Sequence, residues 1–184
     1  MQTTATDVRQ AALLEFASAG YLGSSIQAVA DRAGVSKASV LYHFASKEAL
    51  LDDVLSPALA ELEELWPRTA HLAENPEART AFVEEFVDFL MRNRLAAQIF
   101  ITQSGALVEL PIMGRAQVLI AHIADATSQR SVEDQVRFAV ALGGAAYLLA
   151  QLSHFTEGIE LDDAVLRTSL ISVIGELLAP VTAA

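Results

Sequence analysis

SSIQAVADRAGVSKASVLYHFASKEAL, residues 24–50, holds three helix starts and one tight turn. Ser24 or Ser25 precedes a first run with apolar residues at helical spacing, Ser36 a second and Ser46 a third, and a serine oxygen at each can accept from the first free N–H groups of a helix. Gly34 closes the first run, because glycine reaches the left-handed conformation of a helix end without a Cβ clash. Two helices of about eight residues joined by Ala33-Gly34-Val35 have the spacing of a helix-turn-helix. Val29, Leu41 and Phe44 are expected in its core, with Val40 a further apolar position.

The charge of this stretch is as informative as its pattern. The chain has 184 residues and a formal net charge of −11, yet both of its lysines, Lys37 and Lys47, lie in this stretch. From Arg32 to Lys47 there are three bases, His43 and no acid. Nucleic-acid binding needs cations to neutralise phosphates, so the overall acidity argues against it, whereas this local interval permits it. Cysteine is absent, which excludes disulfides and thiolate metal sites. The start, MQTTATDVRQ, lacks the basic and apolar segments of a secretion signal, and no apolar run of about 18 or more residues occurs. No membrane association is expected, and a cytoplasmic protein is.

Outside this stretch the periodicity is again helical, and the expected fold class is all-α. A first helix runs from about Thr6 to Ala19 and Gly20 closes it; the helix after Ser46 carries Leu50, Leu51, Val54 and Leu55, with a kink or break expected at Pro57. Residues 66–79 read as a connection, in which Asn75-Pro76-Glu77 is a helix start. Further helices are expected around Phe82–Leu90, over 95–104, over 115–126, and from Ser131 to about residue 156. The last begins at Asp162 or Asp163 and stops before Pro180. It carries one stripe of Leu166, Leu170, Val173 and Leu177 beside a second of Ile171, Ile174 and Leu178. Two stripes exceed what one small bundle requires, so one is expected to face a second subunit, and Leu166, Leu170, Val173 and Leu177 are the candidate interface.

The elements Ser24-Ser25, Val29-Ala30, Ala33-Gly34-Val35-Ser36, Tyr42-His43-Phe44 and Ser46-Lys47-Glu48-Ala49-Leu50 resemble the DNA-binding module of TetR-family transcriptional regulators. The resemblance covers residues 24–50; the rest is similar only in length and helical character, and Ala38 stands where the family often has glycine. It implies a module over residues 1–52 and a ligand-binding and dimerisation domain over 53–184. The second helix of such a motif presents its N-terminal residues to the major groove. Ser36, Lys37, Ala38 and Ser39 occupy that end, where a lysine can donate to guanine O6 and N7, a hydroxyl can bond either base type and an alanine methyl can meet a thymine methyl. Tyr42 and His43, by the resemblance, contact the DNA backbone. Ser24 or Ser25 would offer a hydroxyl and a helix N-terminus to phosphate, and Lys47 would grip the opposite flank. His43 also remains readable as a structural histidine. The segment MQTTATD has no base to reach a minor groove, so readout is expected in the major groove.

A ligand cavity is expected in the second part. Its candidates are Phe86, Phe89, Met91, Phe100, Met113 and Tyr147, with the polar groups Gln103, Gln117, His122, Gln151 and His154 among apolar neighbours, a composition shared by pockets and ordinary cores. No histidine follows a glutamate by three residues, and no GxSxG, HExxH or phosphate-binding glycine loop occurs, so neither an enzyme, nor a metal site, nor a cofactor is expected. The expected function is that of a homodimeric regulator, most simply a repressor, released from a palindromic double-stranded DNA operator by a largely apolar small molecule. A helical interaction protein or small-molecule carrier without DNA binding stays open beside it, as does a helical-bundle enzyme.

Overall fold

A computed structural model describes residues 5–72, 75–127, 131–152 and 162–179, and all regular structure among them is helical. Helix α1 spans Ala5–Ala19, α2 Ile26–Ala33, α3 Lys37–His43 and α4 Lys47–Leu65. A 3-10 helix, Trp66–His71, continues from α4 where a connection is expected from sequence. Then follow α5 (Pro76–Arg92), α6 (Arg94–Thr102), the single turn α7 (Ser104–Leu107), α8 (Pro111–Thr127), α9 (Val132–Ala150) and α10 (Asp163–Leu178). The expected end of the ninth helix near residue 156 lies outside the described residues.

The caps are those the serines predict. Ser25 accepts from the N–H of Ala28, Ser36 from that of Ser39 and Ser46 from that of Ala49. Gly34 adopts φ 70°, and its N–H donates to the carbonyls of Ala30 and Asp31. Asn75 and Ser131 cap α5 and α9 in the same way. Pro57 does not break α4, which runs on for two further turns; proline removes one N–H donor, a local loss that buried Val54, Leu55, Ala58 and Leu59 outweigh on either side. Helix α8 starts at Pro111, earlier than expected, since a proline at the first turn sacrifices no helical hydrogen bond.

Two apolar clusters hold the chain. The first joins Phe16, Val29, Val40 and Leu51 of α1–α4 to Ile99, Leu107 and Ile112 further on. The core of the helix-turn-helix is thus continuous with α6–α8, and the expected boundary at residue 52 falls inside α4. Leu41, expected in the core, is 41% exposed: a seven-residue helix has one inward line, and Val40 and Phe44 occupy it. The second cluster packs α5, α9 and α10 around Phe82, Phe86, Phe138 and Leu142.

Helix α10 turns a different face inward from the one its stripes suggest. Leu166 and Leu170 are buried with Ile174 against α5 and α9, and Leu177 packs half-buried beside them. Two residues of the candidate interface, Leu166 and Leu170, are therefore core, and only Val173, at 55% exposure, remains clearly outside, joined by Val165. At about 3.6 residues per turn, 166, 170 and 174 stay on one line, so the inward face takes a member from each stripe.

Arg167 on α10 donates Nε and Nη2 to the carboxylate of Asp88 on α5, at 2.5 and 2.9 Å. Those hydrogen bonds hold the Asp88 carboxyl below its ordinary range. A depressed folded-state value contributes stability above the unfolded value of about 3.9 and loses it as pH falls through the folded one. Urea denaturation should therefore find Asp88→Asn less stable than the parent above about pH 5, the gap closing on acidification. A gap independent of pH would show that the carboxylate charge is not what matters.

Candidate nucleic-acid interface and cavity

Helix α3 lies at the surface with its N-terminal end open. Ser36, Lys37 and Ala38 are exposed and Ser39 is half-buried, while Tyr42 is 85% exposed with His43 exposed beside it. The Tyr42 and His43 rings meet edge to face at 5.1 Å. Among the described residues Lys37 has no hydrogen-bond or ion-pair partner. The Ser36 hydroxyl accepts from the N–H of Ser39 yet keeps its own proton to donate.

Two residues expected at phosphate make hydrogen bonds inside the protein. Lys47 donates Nζ to the carbonyls of Tyr21 at 2.7 Å and Ser24 at 2.9 Å, and the same ammonium sits 4.3 Å from the centre of the Tyr21 ring. It clamps the loop between α1 and α2 to the start of α4, so two of the three N–H groups expected to grip phosphate are spent within the protein. Ser24 is 5% exposed, and its hydroxyl donates to the Gly20 carbonyl at 2.7 Å with the Glu15 carbonyl at 3.2 Å. Of the serine pair, only Ser25 is exposed at the start of α2. The third base of the acid-free interval, Arg32, donates Nε and Nη2 to Glu15 on α1. Arg9 holds the other side of the motif, bonded to Asp53 of α4 and lying over the Phe44 ring.

Gln103, expected in the ligand pocket, lies elsewhere. Its Oε1 accepts from the Tyr21 N–H at 2.6 Å and its Nε2 donates to the Phe16 carbonyl at 2.7 Å, while Gln98 donates to the Ala17 carbonyl at 3.2 Å. The last carbonyls of a helix lack intrahelical partners; here α6 and its end supply them to α1. Tyr21 is consequently held through its N–H by Gln103 and through its carbonyl by Lys47. Gln103→Leu strands a backbone donor and an acceptor, each costing about 1–3 kcal/mol when unsatisfied. Chemical denaturation should find the variant less stable by about 2 kcal/mol; an unchanged midpoint would remove this account.

The cavity itself, about 930 Å³, lies between α4, the 3-10 helix, α5, α6, α8 and α9. Of the expected lining, Phe86, Phe89, Phe100, Met113, Gln117 and Tyr147 are present. Met91 packs against the second cluster instead, His122 is exposed and not part of the wall, and Gln151 ends α9. His154 lies outside the described residues. Sequence reading missed Trp66, Phe82, Asn93 and Phe138, all in the wall. An inward aromatic looks the same in periodicity whether it meets a neighbour or a void, so only the Asn-capped break at residue 93 was available as a signal. No described cluster of three or more His, Asp or Glu could hold a metal ion, and no described helix is long and apolar enough to cross a membrane.

The helix-turn-helix thus stands exposed on a body whose described regular structure is helical and which holds a cavity open on one side. Residues 8–54 match the sequence profile of the bacterial regulatory proteins of the tetR family. The HTH-type transcriptional regulator RutR of Escherichia coli (strain K12) is 34% identical over 80 residues, which are 44% of this chain and 36% of RutR. The chain thus matches little more than a third of the length of the curated relatives it resembles. Among solved structures, a TetR-family transcriptional regulator from Bordetella parapertussis 12822 matches with a TM-score of 0.67 at 22% identity, over 93% of this chain and 91% of that one. The ketosteroid transcriptional regulator KstR2 of Mycobacterium tuberculosis matches at 0.64 and 19%, over 95% and 96%. Residues 8–54 are thus similar to the tetR-family profile, and the chain as a whole shares the fold of these two solved regulators.

Proposed function

We propose that the protein is a homodimeric, cytoplasmic DNA-binding transcriptional regulator, acting as a repressor that a small molecule in the cavity releases from a palindromic operator. The observation that carries the reading is Lys37, a cation at the exposed start of α3 with no partner among the described residues, in a chain of net charge −11. Ser36, Ala38 and Ser39 stand beside it for base edges, with Ser25, Tyr42 and His43 placed for the backbone. Two-fold symmetry puts the two α3 helices about 34–36 Å apart on half-sites one turn apart. Exposed Val165 and Val173 of α10 and Val140 of α9 supply apolar surface for the second subunit.

Coupling between cavity and DNA is read through α6. This helix lines the cavity with Ala97, Phe100 and Ile101, and ends in Gln103, which holds the loop before α2. An effector that displaces α6 thereby shifts the helix-turn-helix, and it must bind the DNA-incompatible arrangement more tightly to do so.

Footprinting and gel shifts on the DNA upstream of the protein's own gene test the reading, with Lys37→Ala as the control. Protection of a palindrome supports it; no protected site, and no difference in the variant, would leave a helical interaction protein or carrier as the reading. With Arg32 and Lys47 tied internally, few cations remain for phosphates. The slope of log K against log salt should therefore be shallow, and a slope of about −8 or steeper would contradict it.

A further inference from the structure

Resting on the reading of the cavity as an effector site, we infer that its ligand is an uncharged, ring-bearing apolar molecule and that anions are excluded. None of the described residues lining the cavity is Lys, Arg, His, Asp or Glu. An anion placed there would lose its water without meeting a counter-ion, which is costly in an apolar surround. Asn93 adds to the bias at its own place in the wall. Asn93 spends its side-chain N–H groups on the Glu61 carboxylate at 2.9 Å and the Phe89 carbonyl at 3.0 Å, so it can offer a ligand only its acceptor oxygen. That oxygen suits a hydroxyl or amine donor and repels a carboxylate or sulfonate.

The aromatic wall favours rings. Phe82 and Phe86 stand nearly parallel, 14° apart with centres at 5.8 Å, and Trp66 meets Phe138 edge-on at 5.6 Å. Flat faces and edges of this kind pack against planar or fused rings in offset or edge contacts. A cavity of about 930 Å³ is at the upper end of the range that encloses a drug-sized molecule.

Two fluorescent probes isolate the charge. N-phenyl-1-naphthylamine and 1-anilinonaphthalene-8-sulfonate share both ring systems and the bridging N–H, and differ by one sulfonate. Titration of the full chain should give the neutral probe a dissociation constant at least about tenfold lower. Gln117→Lys adds an ammonium to an exposed, polar position of the wall. It should strengthen sulfonate binding severalfold and narrow the gap. Equal or tighter sulfonate binding by the parent overturns the inference and leaves the cavity as an effector site. A gap untouched by Gln117→Lys places the probes elsewhere and overturns it too. Binding of neither probe instead removes the effector-site reading on which the inference rests.

Discussion

Lys37→Ala should weaken binding to the operator by at least about thirtyfold while leaving the fold intact. A lysine or arginine that reads a guanine edge contributes about 1–3 kcal/mol of discrimination, and a dimer presents two of them. The sum, about 2–6 kcal/mol, makes thirtyfold the lower bound. Lys37 lies exposed at the first position of a helix whose cap is Ser36. Removing its side chain strands no internal group and leaves Val40 and Phe44 packed. Gel shifts with the protected site and with variants of it distinguish base reading from phosphate contact. Base reading predicts that Lys37→Ala relaxes the preference at one position of each half-site. A uniform loss across all sequences, with the salt slope flatter by about one per subunit, would make Lys37 a phosphate contact.

The opposite outcome is expected for the other lysine. Lys47→Met keeps the aliphatic stem but deprives the Tyr21 and Ser24 carbonyls of their donor and the Tyr21 ring of its cation. Hydrogen bonds from a charged donor contribute about 1.5–3 kcal/mol each, and a cation over an aromatic face about 0.5–2. Lys47 is half-buried, so the lower ends apply, and the loss should be about 3.5 kcal/mol in urea denaturation. Operator affinity should then fall only as far as the module loosens, with the salt slope unchanged. Full stability together with a flatter slope would return Lys47 to the DNA surface.

Both lysines sit in one sequence pattern and carry the same formal charge, yet the structure leaves Lys37 exposed and bonds Lys47 internally. Nothing local separates them. The partners of Lys47 are 26 and 23 residues away, and those of Gln103 are 82 and 87 away. Such pairings exist only once α1, α4 and α6 have packed, and periodicity reports which side of a helix is apolar without saying what lies across from it. For the same reason Gln103, Met91 and His122 resembled pocket residues in the sequence, whereas Trp66 and Phe138 were invisible as wall.

What the sequence determined by itself was the local architecture of residues 24–50 and the helical class of the rest. Serine caps, the left-handed turn at Gly34 and the buried line of Val29, Val40 and Phe44 act over a few residues, where the chain's own geometry fixes the outcome. The tertiary structure decided which of the two lysines is left without a partner among the described residues, which face of α10 turns inward and where a void remains. Those outcomes depend on how whole helices cross, and the crossing leaves Lys37 facing solvent while it draws Lys47, Arg32 and Ser24 into the frame that holds α3 in place.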